Sequence, residues 1–540
     1  MEKDILDILT KVEQFGSVYT TLDHIISTLS KNYRSLNMDT FFLHLTSLLK
    51  SNTLYIEKRF GVPHRVYKYE TFTSENQCSS ILLERSTNIL NTIGDLEELK
   101  ASYLLKIDAV VDGENQLELT DLQKQAVLNG LIQPVSIITG YPGTGKTTCL
   151  KMLCRILKDS QIKSLLLAPT GIAAKRLTDL TGQKAFTVHR AFQAQGDIDN
   201  KDNAYIGVQS SQNSDSESSW VWGMEGSHHP AEVVIIDECS MLDINLLYRV
   251  LAYTNPKCRV VMIGDHEQLP SVGPGSVLKD VINSGTFPVT KFQEIFRQST
   301  SSPIIVSAHD IVRGRYPTSF GPGFSMTEVS DEDSILEFLL NVVHEMYKKK
   351  INFQVFSPKH AGTLGVTNLN SSIRERLNPP SKAKKEYEVD RFSYVREGDR
   401  IMVIRNHYQK NICNGDFGKV HSINFSKSTI TVKIFGDISD STPSRYVVYP
   451  IRQFSQYFRL CYACTVHKAQ GLEMDSIILP IVDSHGVMLQ RNLLYTAVTR
   501  AKKNVVLIGQ QSALLKSVQN NREDSRNTSL RDMLSIPKEV

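Results

Sequence analysis

The stretch GYPGTGKT, residues 140–147, decides the fold. It follows the apolar run VSII at 135–138 and precedes TCLKML at 148–153, which has the spacing of an amphipathic helix. A buried strand, a glycine-rich turn and a helix in this order are typical of a phosphate-binding loop. A glycine-rich turn that matched by chance would lack the strand, the Lys-Thr pair and the helix. The sequence therefore predicts an α/β fold with a nucleoside triphosphate at the end of this strand.

The side chains of the loop predict how the nucleotide is held. Successive backbone N–H groups point at an anion, and the helix adds its positive N-terminal end. Lys146 is expected to reach the β- and γ-phosphates of ATP, and the Thr147 hydroxyl to ligate Mg²⁺. The other predicted contacts of this loop with the nucleotide are Gly140, Gly143, Gly145 and Thr148.

Composition limits the class of protein. At 540 residues, with 41% hydrophobic and 22% charged residues, the chain has room for three or four domains. A net charge of +4 is too small to identify a nucleic-acid partner. No apolar run approaches the ~18 residues of a spanning helix, and the start MEKD is too acidic for a signal peptide. We expect no membrane contact and a cytoplasmic location, in the host cytoplasm if a phage encodes the chain.

The cysteines do not predict a disulfide framework or a metal site. Eight cysteines in so long a chain lie mostly in apolar runs, where a free thiol packs as a small hydrophobe. Cys461 and Cys464 form one C-x-x-C with His467 nearby, but no second ligand pair has zinc spacing. We interpret the pair as packed thiols.

Two later strands predict the rest of the catalytic apparatus. The run VVII at 233–236 delivers Asp237 and Glu238 to the C-terminal edge of a parallel sheet. Downstream of a phosphate loop this is a Walker B motif, with Asp237 holding Mg²⁺ through water and Glu238 deprotonating the attacking water. Gln268 follows the strand 259–263 and is predicted to hydrogen-bond the γ-phosphate.

Several strings resemble those of superfamily 1 helicases of the RecD-like, 5′-to-3′ branch, of bacterial or phage type. The strings in the first half of the chain are LTDLQKQAV at 119–127, APTGIAAKRL at 168–177, TVHR at 187–190, DECSM at 237–241 and GDHEQLPSVGPG at 264–275. The strings in the second half are EIFRQ at 294–298, TVHKAQGLE at 465–473 and LLYTAVTRAK at 493–502. DECSM departs from the family pattern by one small residue, since it has cysteine where alanine is usual.

The resemblance implies further roles at the nucleotide. Gln123 would contact the adenine, and Glu473 would belong to the nucleotide site. Arg297 and Arg500 would reach from the second RecA-like domain to the γ-phosphate and neutralise charge in the transition state.

The resemblance also implies single-stranded and forked DNA as partners, together with possible replication or recombination proteins. Contacts should fall mainly on phosphates and so be independent of base sequence. The candidate DNA-contacting residues are Pro169, Thr170, Thr187, His189, Thr465 and His467.

The predicted architecture is α/β, with two RecA-like domains of parallel sheets flanked by helices. A β-hairpin pin, an SH3-like β-barrel and an N-terminal, mostly helical winged-helix-like domain are added to them. The predicted bounds are 1–112 for the N-terminal domain, 113–285 for the first RecA-like domain with the pin at about 193–230, 286–384 and 457–511 for the second, 385–456 for the barrel and 512–540 for a mobile tail.

The three additions rest on local patterns. A polar run at 210–219 followed by Trp220 and Trp222 suits an exposed hairpin, and a disordered loop with no part in unwinding stays open. Alternating segments within 385–456 indicate a small barrel, or a generic β-insertion. For residues 1–112, DNA binding, protein contact and scaffolding all stay open.

The sequence thus predicts an ATP-dependent DNA helicase, a monomeric motor that moves 5′-to-3′ in replication, recombination or repair. One alternative is a translocating subunit of a helicase–nuclease complex, whose unwinding would need a partner. The other is a nucleotide-gated DNA-binding module, which would leave Glu238 and both arginines idle.

Overall fold

A computed structural model describes residues 1–32, 36–90, 96–113, 119–192, 228–292, 302–390, 393–435, 444–521 and 526–535. Within these ranges no helix combines the length and the apolar character that crossing a membrane requires. The predicted pin, including Trp220 and Trp222, lies almost entirely outside the described residues.

The N-terminal domain is a helical bundle backed by a small sheet. Its antiparallel strands have the order β1-β3-β2, and the interior is filled by Ile5, Leu9, Ile25 and Phe41. Three helices followed by a hairpin give the arrangement of a winged helix. The elements are α1 (Glu2–Gln14), β1 (Tyr19–Thr21), α2 (Leu22–Asn32), α3 (Met38–Lys50), β2 (Leu54–Glu57) and β3 (Arg65–Lys68).

The first α/β domain carries a six-stranded parallel sheet. Two long helices, α4 (Tyr69–Leu90) and α5 (Leu96–Gly113), lead into it. Its strand order is β6-β5-β7-β8-β4-β9. The elements are α6 (Asp121–Ile132), β4 (Val135–Gly140), α7 (Lys146–Asp159), β5 (Ser164–Ala168), α8 (Gly171–Thr181), β6 (Ala185–Thr187), α9 (Val188–Ala191), β7 (Val233–Ile236), α10 (Ile244–Tyr253), β8 (Arg259–Gly264), α11 (Val277–Asn283) and β9 (Val289–Phe292).

The central strands of this sheet are apolar on both faces, because helices cover each side. All four residues of β7 are buried, as are all six of β4. The strands that carry the phosphate loop, the two carboxylates and Gln268 are the neighbours β4, β7 and β8. Their carboxyl ends therefore meet at one edge of the sheet.

The second α/β domain is interrupted by an antiparallel insertion. Its first part comprises α12 (Pro303–Val312), β10 (Phe324–Glu328), α13 (Glu332–Lys348), β11 (Phe353–Ser357) and α14 (Val366–Leu377). The insertion comprises the pair β12 (Glu386–Asp390) and β13 (Ser393–Arg396), then β14 (Arg400–Val403), β15 (Phe417–Asn424), β16 (Thr429–Ile434), β17 (Arg445–Pro450), α15 (Phe454–Tyr457) and β18 (Phe458–Leu460). The five strands β17-β16-β15-β14-β18 form one curved sheet around Ile401, Val432 and Phe458.

The chain then returns to a five-stranded parallel sheet of order β10-β21-β20-β11-β19. The returning elements are β19 (Ala463–Thr465), β20 (Met474–Ile481), α16 (Arg491–Thr499), β21 (Ala501–Gly509) and α17 (Gln511–Gln519). The prediction of parallel sheets flanked by helices, with a β-insertion and a helical N-terminal region, is confirmed for the described residues. Cys461 and Cys464 are buried free thiols, and no group of three or more metal-ligating side chains occurs in those ranges.

The prediction of a mobile tail at 512–540 is wrong for the part that the structure describes. Residues 511–519 form α17, which packs into the second α/β domain, and α18 (Leu530–Ser535) packs against α4 and α11. Leu530 and Leu534 are buried there. Polar composition suggested mobility, but two leucines four residues apart are enough to dock one helical turn.

Helix α4 is joined to the first α/β domain by a buried arginine. The Arg85 guanidinium is 2% exposed and donates to the carbonyls of Leu251 (2.7 Å), Thr254 (3.1 Å) and Cys258 (3.1 Å). These carbonyls include the free ones at the C-terminal end of α10, where a cation is favourable. Helix α4 is therefore bound to the first α/β domain, while its Phe72 ring stacks on Tyr55 of the N-terminal domain.

We expect Arg85→Met to destabilise the chain by about 3 kcal/mol, because several buried carbonyls would lose their only charged donor. The urea midpoint of the first unfolding transition measures this. Thr87→Ala on the exposed face of the same helix is the control and should stay within about 0.5 kcal/mol. An unchanged midpoint for Arg85→Met would contradict the role assigned to the guanidinium.

Candidate active site

The phosphate loop begins where β4 ends and closes into α7. Gly143 (φ 80°) and Gly145 (φ 95°) adopt left-handed backbone conformations that favour glycine. The Thr144 hydroxyl donates to the Tyr141 carbonyl at 2.7 Å and braces the turn. The loop thus has the geometry that directs its N–H groups and the start of α7 at an anion.

Lys146 lies folded against the loop. Its ammonium donates to the carbonyls of Gly140 and Tyr141, the latter at 2.9 Å. Burial lowers the pKa of Lys146, and the carboxylates of Asp265, Glu238 and Asp237 oppose that shift. The ammonium is therefore near three carboxylates and beside the loop where the β- and γ-phosphates would bind.

Asp237 and Glu238 stand together at the end of β7. The Asp237 carboxylate accepts the Glu238 backbone N–H at 2.9 Å. Glu238 has φ 54°, a left-handed conformation that costs a non-glycine residue about 1–3 kcal/mol. Burial, and then the neighbouring charge of Glu238, raise the pKa of Asp237. The fold therefore tolerates both the strained backbone of Glu238 and the repulsion between the two carboxylates.

A divalent cation fits this arrangement. Thr147 lies in the first turn of α7 with an exposed side chain, and Asp237 supplies a carboxylate oxygen at the end of β7. Hydroxyl and carboxylate oxygens are ligands that Mg²⁺ accepts.

Residues 264–275, hereafter the Gln268 loop, lie between the two α/β domains. The Gln268 amide donates to the Asp265 carboxylate at 3.1 Å, and both side chains are buried. From the second domain, the Tyr495 hydroxyl donates to the same carboxylate oxygen at 2.8 Å. The Thr496 hydroxyl accepts the Leu269 N–H at 2.8 Å. Helix α16 thus contacts the Gln268 loop through two hydroxyl groups, those of Tyr495 and Thr496.

Arg500 follows α16 and is buried. Its guanidinium donates to the carbonyls of Thr496 (3.3 Å) and Leu472 (3.4 Å). Burial is the main cause that lowers the pKa of Lys146, and the charge of Arg500 lowers it further. Arg297 lies outside the described residues.

Glu473 joins the two domains. Its carboxylate accepts Arg176 of α8 at 2.8 Å and pairs with Lys502 of the second domain at 3.1 Å. We predicted Glu473 as a nucleotide contact, and in this structure both of its oxygens are paired with these cations. Gln123 is likewise engaged within the chain: it forms a capping box with Thr120 and donates to the Thr144 carbonyl at 3.4 Å.

An aromatic contact also crosses the cleft. The ring of Tyr141, in the phosphate loop, lies 4.6 Å from that of His309 on α12 and 6.3 Å from that of Tyr495. These residues line a cavity of about 400 Å³ together with Thr499 and Lys502. A motion of the two domains relative to each other would therefore change the contacts of the Tyr141 ring with His309 and Tyr495.

The predicted strand-contacting threonines all cap local backbone. Thr170, Thr187 and Thr465 accept the N–H groups of Ala173, Arg190 and Lys468 at 3.2–3.4 Å. Each hydroxyl keeps one proton to donate. Thr187 and Thr465 are buried, whereas Pro169, Thr170 and His467 are partly exposed and His189 is exposed.

The inserted sheet reaches back to the start of α8. A Cβ on Gly171 would lie 2.8 Å from the Cβ of Cys413, and Gly415 lies directly against Ile172. Gly471 of the second domain approaches the Thr170 hydroxyl from another side, at 3.7 Å from its ideal Cβ. Thr170 is therefore the point where the first domain, the second domain and the insertion meet.

Several of these residues were missed by sequence reasoning. Tyr141, Asp265 and Lys502 lie inside quoted strings, but their partners lie far away along the chain, so the strings did not indicate these contacts. His309 lies outside every quoted string. Arg176 was within a quoted string, but it binds Glu473 rather than a strand-facing group. Tyr495 lies inside the string that ends at Lys502, which was its one usable signal.

Comparison with known families assigns the three parts of the motor. Residues 118–323 match the AAA domain, and residues 460–508 match the UvrD-like helicase C-terminal domain. Residues 369–434 match the ATP-dependent RecD-like DNA helicase SH3 domain, and this range includes the strands β12 to β16 of the insertion described above. The chain belongs to the RecD-like superfamily 1 helicases. The family predicted from the sequence is thereby confirmed.

Relatives of this RecD-like chain include two curated bacterial proteins. It is 30% identical over 400 residues to the ATP-dependent RecD2 DNA helicase of Deinococcus radiodurans, covering 73% of this chain and 49% of that protein. It is 25% identical over 520 residues to the RecBCD enzyme subunit RecD of Buchnera aphidicola, covering 84% and 81%. The chain thus spans about half the length of the RecD2 helicase. A crystal structure of Pif1 helicase from Candida albicans shares 17% identity, with a TM-score of 0.46 and coverage of 76% and 98%.

We expect Glu473→Gln to weaken the contact between the two α/β domains of this RecD-like chain in the absence of nucleotide. The amide keeps the shape but loses the charge that attracts Arg176 and Lys502, which are each about one-third exposed. The loss of about 1 kcal/mol should raise the ratio of open to closed molecules about fivefold. Small-angle X-ray scattering would show a larger radius of gyration.

Asp475→Asn is the matched control, since Asp475 pairs with Lys503 inside the second domain. A radius of gyration that changes equally in both variants, or in neither, would contradict the bridging role of Glu473.

Proposed function

We propose that this chain is an ATP-driven DNA helicase, in which the cleft between the two α/β domains hydrolyses ATP and the motion of the domains advances the chain along single-stranded DNA. The observation that carries the proposal is the position of Arg500. Arg500 directly follows α16, and the Tyr495 hydroxyl of that helix donates to Asp265 of the first domain at 2.8 Å. The charge of Arg500 also contributes to the lowered pKa of Lys146. Such an arrangement supports turnover only when the cleft is closed.

The residues of the cleft have separate tasks in phosphoryl transfer. Lys146 leaves the loop carbonyls to neutralise the β- and γ-phosphates, and Arg500 neutralises charge that develops on the transferred group. Glu238 orients the attacking water and accepts its proton. Gln268, whose amide donates to Asp265, would hydrogen-bond the γ-phosphate from the first domain. Because Tyr495 of the second domain donates to the same Asp265 carboxylate, a movement of Gln268 would be transmitted to the second domain.

Mg²⁺ completes the site in this proposal. When bound, the cation would neutralise phosphate charge as a Lewis acid. The Thr147 hydroxyl and Asp237 would hold it, because Thr147 lies in the first turn of α7 and Asp237 at the end of β7, both at the carboxyl edge of the sheet.

DNA would lie across the tops of both domains, near Thr170. The meeting of α8, the insertion and the segment around Gly471 at this residue supports a path enclosed on three sides. Threonine hydroxyls with one free proton, together with His189 and His467, suit phosphate oxygens rather than base edges. Binding would then be independent of sequence and weakened by salt.

A second candidate is favoured by one observation. The relatives of this chain include the RecBCD enzyme subunit RecD of Buchnera aphidicola, which by its name is a subunit of a larger enzyme. A translocating subunit of a helicase–nuclease complex is therefore the second candidate. Such a chain should hydrolyse ATP in the presence of DNA but unwind little without its partners.

We expect Lys146→Ala to reduce DNA-stimulated ATP hydrolysis at least about a hundredfold, because the transition state loses a buried charge. Binding of single-stranded DNA, measured by fluorescence anisotropy without nucleotide, should remain measurable. Lys151→Ala, on the exposed side one turn further along α7, is the control and should keep wild-type turnover. Retained turnover in Lys146→Ala would refute the assignment of the phosphate loop.

Polarity is part of the proposal and rests on the family. Forks that carry only a 5′ or only a 3′ single-stranded tail should be unwound from the 5′ tail alone. Unwinding from the 3′ tail would overturn the 5′-to-3′ direction. Hydrolysis without unwinding on either fork would favour the subunit of a larger complex.

A further inference from the structure

Residues 526–535, hereafter the strap, bind the N-terminal domain through backbone and side-chain hydrogen bonds. The Val18 N–H donates to the Asn527 carbonyl at 2.8 Å, and the Asn527 amide donates to the Tyr19 carbonyl at 3.3 Å. The Ser529 hydroxyl lies 2.6 Å from Arg65 and 2.8 Å from the Tyr67 hydroxyl. The strap thereby runs along the edge strand β1 and across β3.

The strap also binds the first α/β domain. The buried carboxylate of Glu75, on α4, accepts the N–H groups of both Ser529 (2.7 Å) and Leu530 (3.0 Å) at the start of α18. On α11, Asp280 accepts the Thr528 hydroxyl at 3.2 Å. Two buried carboxylates therefore hold the segment that joins Arg526 to α18.

Arg526 connects the strap to the Gln268 loop. Its guanidinium donates to the carbonyls of Ser271 and Gly275, each at 2.9 Å. The same guanidinium lies flat against Gly16, where a Cβ would overlap it and where φ is 87°. The Gly275 N–H in turn donates to the Gly16 carbonyl at 2.9 Å. Glycine is required at position 16 by both the close approach and the backbone conformation.

The two halves of the Gln268 loop are therefore held by different bodies. Residues 265–269 are hydrogen-bonded by Tyr495, Thr496 and Gln470 of the second α/β domain. Residues 271–275 are hydrogen-bonded by Arg526 and Gly16. Motion of the second domain would pull on the first half while the strap keeps the second half fixed.

The attachment of the strap to the second domain limits that motion. Asn520 is anchored there, because its carbonyl accepts the Arg491 N–H at 2.9 Å and its amide donates to the Leu489 carbonyl at 2.6 Å. Arg526 comes six positions after Asn520 in the sequence, so the Cα atoms of these two residues can be at most about 20 Å apart. Arg526 also lies near the candidate strand contact His467, whose pKa is lowered by burial and by the Arg526 charge.

We propose that the strap fixes residues 271–275 against the N-terminal domain, and that Arg526 is a positioning residue that couples the ATP cleft to movement on DNA. The proposal rests on the proposed helicase function for its mechanical consequence. Its structural part, the hold on the Gln268 loop, stands independently. The N-terminal domain becomes, through the strap, a fixed support for the motor.

The decisive variant is Arg526→Ala, studied in the full chain. Hydrogen–deuterium exchange should show faster exchange of the amides of residues 271–275 and 16–18, by about tenfold. Basal ATP hydrolysis and the KM for ATP should stay within about twofold of wild type, because no group at the phosphates changes. The number of base pairs unwound per ATP should fall about fivefold. Gly16→Ala should reproduce these changes from the other side of the contact.

Arg531→Ala is the matched control. Arg531 lies on the same strap, is 58% exposed and pairs with the adjacent Asp532. It should leave exchange and coupling unchanged. Unchanged exchange at residues 271–275 in Arg526→Ala overturns the hold on the loop. Faster exchange with a wild-type ratio of base pairs to ATP overturns the coupling role alone.

The exchange measurement needs no activity, so it separates this inference from the proposed function. If wild-type protein showed no DNA-stimulated hydrolysis, the helicase proposal would fail while the exchange result still decided the hold. A thermal melt keeps the variants interpretable: a loss of basal hydrolysis together with a large fall in Tm for Arg526→Ala would overturn a specific positioning role.

Discussion

The Gln268 loop leaves strand β8 in the buried space between two domains, and its backbone groups must find hydrogen-bond partners there. An unpaired buried N–H or carbonyl costs about 1–3 kcal/mol. The partners come from α16, from Gln470, from the N-terminal domain and from Arg526. The second α/β domain, the N-terminal domain and the strap therefore each have a hydrogen bond to this loop. The positions of these three parts relative to the first α/β domain depend on it.

Charge balance is the second constraint on the cleft. The charge of Lys146 is opposed within the first domain by Asp265, Glu238 and Asp237. Glu473 of the second domain pairs with Arg176 across the cleft and with Lys502 of its own domain. A buried ion that loses its partner is costly. The cleft is consequently stable when closed, and phosphate groups that enter must redistribute these pairs. The aromatic contact of Tyr141 with His309 adds an apolar component to the same closure.

The local motifs were predictable from the sequence because each is built from neighbouring residues. The glycines and Lys146 of the phosphate loop, the carboxylates after β7 and the alternating strands of the insertion all follow from short-range patterns. The same patterns indicate parallel sheets flanked by helices, but they do not give the full order of the strands in either sheet. Residue roles such as those of Gln123 and the strand-contacting threonines stay predictions, since the structure shows them engaged with their own backbone.

Contacts between distant segments could not be predicted. Arg176 meets Glu473 across 297 residues, and Ser17 meets Asn527 across 510. The strap looked like a tail because its composition is polar, and nothing near it in sequence indicates the buried carboxylates of Glu75 and Asp280. Arg85, an apparently ordinary helical arginine, is among the largest fully buried side chains for the same reason.

The separation between the strap and its binding site also matters while the chain is being made. Residues 16–19 and the Gln268 loop emerge from the ribosome hundreds of residues before Arg526 exists. During that interval the carbonyls of Ser271 and Gly275 lack the guanidinium that binds both of them in the finished chain. Pairings of such high sequence separation form late in folding. A nascent chain would therefore carry a complete phosphate loop while residues 271–275 still lack their contact with the strap.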